Sequence, residues 1–123
     1  MEAARFVDVL QQLLASGAAR LIHRGEDRAG DDVVGWHAPD GGAYLLPDLA
    51  RRAVEQALGG DGLNRVSNDA LYGQLEELGY LGEHAAGRRT KMIRVSERQT
   101  ARALHLTATA LGAGDDEPGN VSA

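Results

Sequence analysis

The chain has 123 residues, no cysteine and a formal charge of −5, which bounds it to one domain with a modest core and excludes a disulfide framework or a thiolate metal site. No apolar run approaches the roughly 20 residues of a membrane helix, and the N-terminus, with Glu2 and no long apolar core, does not read as a signal peptide. The acidic balance argues against non-specific nucleic-acid binding, and the lack of cysteine fits a cytoplasmic protein.

In chain order, residues 3–15 read as an amphipathic helix with Phe6, Leu10, Leu13 and Leu14 on one face, ended by Ser16-Gly17. Ala19 to His23 is a short strand, and Arg24 to Asp32 is a charged, glycine-containing loop. Val33 to His37 is a second strand and Ala43 to Leu46 a third, joined as a hairpin by the turn Pro39-Asp40-Gly41-Gly42. Pro47 opens a second helix, where its missing amide hydrogen costs nothing. Leu49, Ala53, Val54, Ala57 and Leu58 form its buried face, and Gly59-Gly60-Asp61-Gly62 breaks it.

The stretch from Val66 to Leu106 organises the rest. Ser67 reads as the N-cap of a third helix running to about Gly79, with Val66 and Leu71 placed as a hydrophobic staple. Leu71, Leu75 and Leu78 fall on one face. Residues 91–95 and 101–106 then alternate as two strands around the loop 96–100, which has hairpin length but no glycine. The order helix, strands, helix, helix, hairpin is that of an α+β winged helix with an extra N-terminal β-hairpin inserted after the first helix. The domain spans residues 1–111, and the small, acidic residues 112–123 read as a disordered tail.

Charge is unevenly spread. Residues 86–106 hold six basic side chains against the single acid Glu97, a net +5, which leaves −10 for the remainder. Arg88, Arg89 and Lys91 precede or start the first hairpin strand, Arg94 lies within it and Arg98 in the turn. Guanidinium groups suit phosphate, because their planar fork donates two hydrogen bonds to it. Alternation places Ile93 and Val95 towards the core over Leu104 and Leu106, with His105 in solvent, and the wing cations are expected on one exposed face beside the third helix. An ordinary solvated hairpin, its arginines paired with the acidic remainder, would have the same composition.

The third helix offers less. Its charges, Asp69, Glu76 and Glu77, are all acidic, whereas a helix in the major groove brings Arg, Lys, Asn or Gln to base edges. Only Asn68 and Gln74 qualify, with Asn64 and Arg65 just before the helix; Tyr72 suits either base stacking or the core edge. Gly73 in mid-helix implies a close approach of another backbone. The expected contact is therefore to phosphates through the wing, with little base reading.

The run Gly35-Trp36, Ala43 to Asp48, Val66-Ser67, Leu71-Tyr72 with Leu75, Leu78 to Leu81 and Arg102 to Leu106 resembles the C-terminal segment of bacterial plasmid and phage replication proteins of the helicase/primase type. It covers residues 6–106. The resemblance implies a winged-helix module appended to an ATPase, with nucleic-acid binding or substrate positioning as its role. The chain departs from that pattern in having no Walker-type Gly-Lys-Ser/Thr. A weaker likeness is to the C-terminal domain of conjugative relaxases.

Nothing marks catalysis or a cofactor. His23, His37, His84 and His105 lack the spacing of a metal site, the loop 26–32 lacks the pattern of a calcium loop, and no nucleophile–base pair is assignable. Trp36 reads as a core anchor. The reading is a non-enzymatic winged-helix module that binds DNA through a basic wing, accessory to a replication ATPase. The alternative is a protein-docking module that binds no nucleic acid.

Overall fold

The computed structural model of the protein describes residues 2–26, 32–59, 62–63, 66–82 and 89–112. Asn64, Arg65 and Arg88 of the expected interface, His84 and the tail from residue 113 lie outside the described residues. Among those described, three helices and a five-stranded mixed sheet form an α+β fold. The order is α1 (Glu2–Ser16), β1 (Arg20–Ile22), β2 (Val33–His37), β3 (Ala43–Leu45), α2 (Pro47–Leu58), α3 (Asn68–Glu77), β4 (Lys91–Arg94) and β5 (Thr100–Leu106). The strands lie in the order β1-β2-β3-β5-β4, with β1 parallel to β2 and every other pair antiparallel. Among the described residues, no helix is long and apolar enough to cross a membrane.

Local chemistry sets the boundaries. Pro47 stands in the first turn of α2. The Ser67 hydroxyl accepts the Ala70 N–H at 3.0 Å, capping α3. The helix stops at Gly79, whose φ of +77° is cheap only without a Cβ. There the Tyr80 N–H donates to the Leu75 carbonyl and the Gly79 N–H to that of Glu76, the paired bonds of a Schellman end. The hairpin turn closes without glycine, through the Val95 N–H on the Gln99 carbonyl at 3.0 Å.

Strand register builds two cores. Leu45 pairs with Leu104 and Ala43 with Leu106, so these side chains share the helix face of the sheet. There they meet Phe6, Leu10, Val54, Leu63, Leu71 and Leu75, all essentially inaccessible to solvent. Arg51 holds α2 to the start of α3: its guanidinium donates to the Asn68 side-chain oxygen at 2.8 Å and to the Val66 carbonyl. The Ala3 N–H donates to the side-chain oxygen of Gln74 at 2.9 Å, joining α1 to α3.

On the opposite face, Ile22, Trp36, Tyr44 and His105 form a row across four strands, because each is paired with the next. Ile93, Val95 and Ala103 complete this second core. The turn after β1 crosses it, and the Gly25 N–H donates to the Val95 carbonyl at 2.8 Å, linking the two edges of the sheet. β2 and β3 approach so closely that a Cβ on Gly35 would lie 2.1 Å from the Tyr44 carbonyl oxygen.

Three expectations are corrected here. Ile93 and Val95 do not pack over Leu104 and Leu106. The pairing of Ile93 with Ala101 and of Lys91 with Ala103 puts them on the other face. His105 shares that face and is buried, 7% exposed, where alternation against one core placed it in water. Leu78 is 37% exposed, because the chain leaves the helix one residue later and turns it away from the core.

Candidate nucleic-acid interface

The cations of the β4–β5 hairpin divide between the two faces of the sheet. Met92, Arg94 and Arg102 point one way, while Lys91 shares the face of Ile93 and Ala103. This corrects the expectation of one shared face: Lys91 and Arg94 lie on opposite faces, because a spacing of three along a strand separates them. The Lys91 ammonium lies 5.8 Å from the centroid of the Tyr44 ring, and the Arg24 guanidinium lies 5.6 Å from the same ring, within the range of a cation–π attraction.

Arg89 stands beside α3, as expected, but it is not free. Its guanidinium meets Glu76 at 2.9 Å and Asp69 at 3.4 Å. The hydrogen bond that it donates to Glu76 is the main reason its pKa rises above the ordinary guanidinium value. Gly73 lies under this side chain. A Cβ there would touch only the Arg89 guanidinium, at 3.8 Å, so the expected close backbone is absent among the described residues.

The helix side chains considered for base contact are engaged elsewhere. Asn68 accepts from Arg51, and Gln74 accepts from Ala3. Tyr72 is half-buried and lines a cavity of about 510 Å³ with Leu46, Pro47, Leu49, Thr90 and Arg102. Burial first, and Asp48 second, push its hydroxyl pKa up.

The exposed cations gather at the hairpin end. Arg94 donates to the Glu97 carbonyl at 2.8 Å, and Arg98 lies in the turn. Arg24 joins them from the crossing turn, donating to the Arg94 carbonyl at 3.5 Å. None of the three pairs with a carboxylate among the described residues. Sequence reasoning missed Arg24, because the charged loop after β1 carries no signal that it crosses the sheet.

His105 forms a second constellation. Its Nε2 lies 3.2 Å from a carboxylate oxygen of Asp40, whose other oxygen accepts the Gly42 N–H at 2.9 Å. Burial alone would raise the Asp40 pKa, but these two hydrogen bonds outweigh it and hold the carboxyl below its usual value. The ring packs against Tyr44 at 4.8 Å between centroids. The rings of His23 and His37 are 4.6 Å apart, and no group of three metal-ligating side chains occurs among the described residues.

No protein-family model, curated protein or solved structure matches the chain.

Proposed function

We propose that the chain is a non-catalytic winged-helix module that binds DNA phosphates through its β4–β5 hairpin, accessory to a replication protein of the helicase/primase type. The observation that carries the reading is the strand order β3-β5-β4, with β3 and β5 packed on α1, α2 and α3 and the guanidiniums of Arg94 and Arg98 at the free end of the hairpin. In that arrangement α3 takes the place of the recognition helix, β4–β5 is the wing, and β1 and β2 are an addition at the far edge. Arg24 extends the basic surface from the opposite edge. The engagement of Asn68 and Gln74 within the protein favours contact without base reading.

The test is a titration with duplex and single-stranded DNA at several salt concentrations. Replacing Arg94 and Arg98 together by Ala lowers affinity on all sequences alike and flattens the salt dependence, because phosphate contacts release counterions. A second reading, a docking surface for a protein, is favoured by one observation: α3 presents exposed Asp69, Glu76 and Glu77 and neutralises Arg89. Absence of DNA binding at low salt decides for that reading.

A further inference from the structure

The turn after β1 and the turn between β4 and β5 meet over the second face of the sheet, and a cavity of about 700 Å³ opens beside their junction. Trp36 lines it, with Glu26, Ser96, Arg98, Gln99 and Thr100. Trp36 is only 3% exposed. Its indole N–H has no acceptor among the described residues, although a buried indole N–H ordinarily has one. A buried donor without a partner, on a residue that lines an open cavity, is where a ligand's acceptor would be welcome.

The rest of the lining defines that ligand. Arg98 brings a guanidinium that pairs with no carboxylate among the described residues. Ser96 and Thr100 bring hydroxyls, and Gln99 an amide with both donor and acceptor. One carboxylate is present, that of Glu26, and one of its oxygens already accepts the His23 N–H at 2.7 Å. Donors outnumber acceptors, as an oxyanion requires. The volume lies within the range of about 300–1,000 Å³ typical of small-ligand sites and exceeds what a bare phosphate fills. A polar lining with one cation and one indole donor suits a phosphate joined to a ring that carries hydrogen-bond acceptors.

We infer that this cavity binds a single nucleotide, with its phosphate on Arg98 and its base on the Trp36 side. The inference rests on, and deepens, the nucleic-acid reading, since an unpaired or terminal nucleotide of bound DNA carries this chemistry, as does a free mononucleotide. The chain has one tryptophan, so a proton–nitrogen correlation spectrum reports the site through one indole resonance. The full chain is titrated with thymidine monophosphate, thymidine, inorganic phosphate and single-stranded oligothymidylate, and duplex binding is measured in parallel.

Thymidine monophosphate is expected to move the Trp36 indole resonance saturably. Arg98→Ala weakens that binding about tenfold or more, the effect of losing a charged hydrogen bond. Arg98 lies on an exposed turn, so the variant's dispersed spectrum verifies its fold. Arg52→Ala removes an exposed cation from α2, away from this cavity, and leaves the titration unchanged. Oligothymidylate moving the same resonance at lower concentration identifies a DNA strand as the source, and the mononucleotide alone acting identifies free nucleotide; either supports the site. An indole resonance that none of the ligands moves, or that moves equally in Arg98→Ala, overturns the inference. Inorganic phosphate binding as tightly as thymidine monophosphate overturns it too, because the base then contributes nothing. Duplex binding with a silent indole refutes this site alone. A moving indole without duplex binding refutes only the duplex reading.

Discussion

The ion pairs of Arg89 with Asp69 and Glu76 give the sharpest test of the DNA reading, because breaking them should strengthen binding. Asp69→Asn with Glu76→Gln keeps side-chain size and removes both carboxylates that hold the guanidinium. Three cations, Arg24, Arg94 and Arg98, already stand without a carboxylate partner among the described residues. If each neutralises one phosphate, the log–log dependence of affinity on salt has a slope of about −2.7. A released Arg89 adds a fourth contact and moves the slope to about −3.6. The difference, about 0.9, does not depend on how many other cations take part. Over a tenfold rise in salt the variant therefore loses about eight times more affinity than the parent, starting from tighter binding at low salt. Fluorescence anisotropy with a labelled duplex measures both quantities, and thermal unfolding checks that the exposed substitutions leave the fold intact. An unchanged slope and affinity in the variant, beside a parent that binds, would refute the placement of Arg89 at the interface. A parent without salt-dependent binding refutes the DNA reading as a whole.

Leu75→Ala should cost about 2–5 kcal/mol, since Leu75 is inaccessible to solvent, while Leu78→Ala, at a position 37% exposed, should cost under about 1 kcal/mol. Urea unfolding of the two variants separates them, and equal losses would mean that α3 packs on a different face. Gly35→Ala should cost about 3 kcal/mol or more or abolish folding, because the new methyl meets the Tyr44 carbonyl at 2.1 Å and a sheet cannot part locally; unfolding near that of the parent would refute the close pairing of β2 and β3. The Asp40 carboxyl is held below its unfolded value, so its charge stabilises the fold above the ordinary carboxylate range, and the benefit is lost as pH falls through the folded value. The stability difference between parent and Asp40→Asn should accordingly be flat near neutrality and shrink below about pH 4; a difference that grows in acid would contradict the sign.

The elements were legible where capping and breaking residues act alone. Pro47, Ser67 and Gly79 mark helix ends through properties of one residue each, and the start of α2 and both ends of α3 fall where those signals put them. The antiparallel β2–β3 hairpin follows from its Pro-Asp-Gly-Gly turn. What alternation could not give is which side of a strand meets water. In β5, Ala103 and His105 occupy one face and Leu104 and Leu106 the other, and a one-core reading assigns the leucine side inwards and the histidine outwards. The second core escapes notice because it is assembled from one or two residues of each of five strands and covered by a charged turn. Arg24 and the cavity beside Trp36 were hidden for the same reason: both depend on a hydrogen bond between Gly25 and Val95, 70 residues apart. The pairing of Lys91 with Ala103 decides which face the lysine joins, and the expectation of one face for Lys91 and Arg94 overlooked that a spacing of three along a strand separates them.

An acidic α3 constrains how a basic hairpin can be used. A helix bearing Asp69, Glu76 and Glu77 on its open surface repels the phosphates on either side of a major groove, so deep insertion opposes its own charge. The same carboxylates quench Arg89, the described cation of the hairpin closest to the helix. Positive charge without a carboxylate partner is thereby displaced to the hairpin turn, where Arg94 and Arg98 stand and where the crossing turn adds Arg24. That end is separated from α3 by the length of β4, roughly 13 Å at the usual rise per residue. A nucleic acid drawn to it would lie along the hairpin and the turn after β1, over the mouth of the Trp36 cavity, with α3 turned aside. Base reading by the helix and phosphate binding by the hairpin are thus competing demands on this surface, and the charge distribution favours the second.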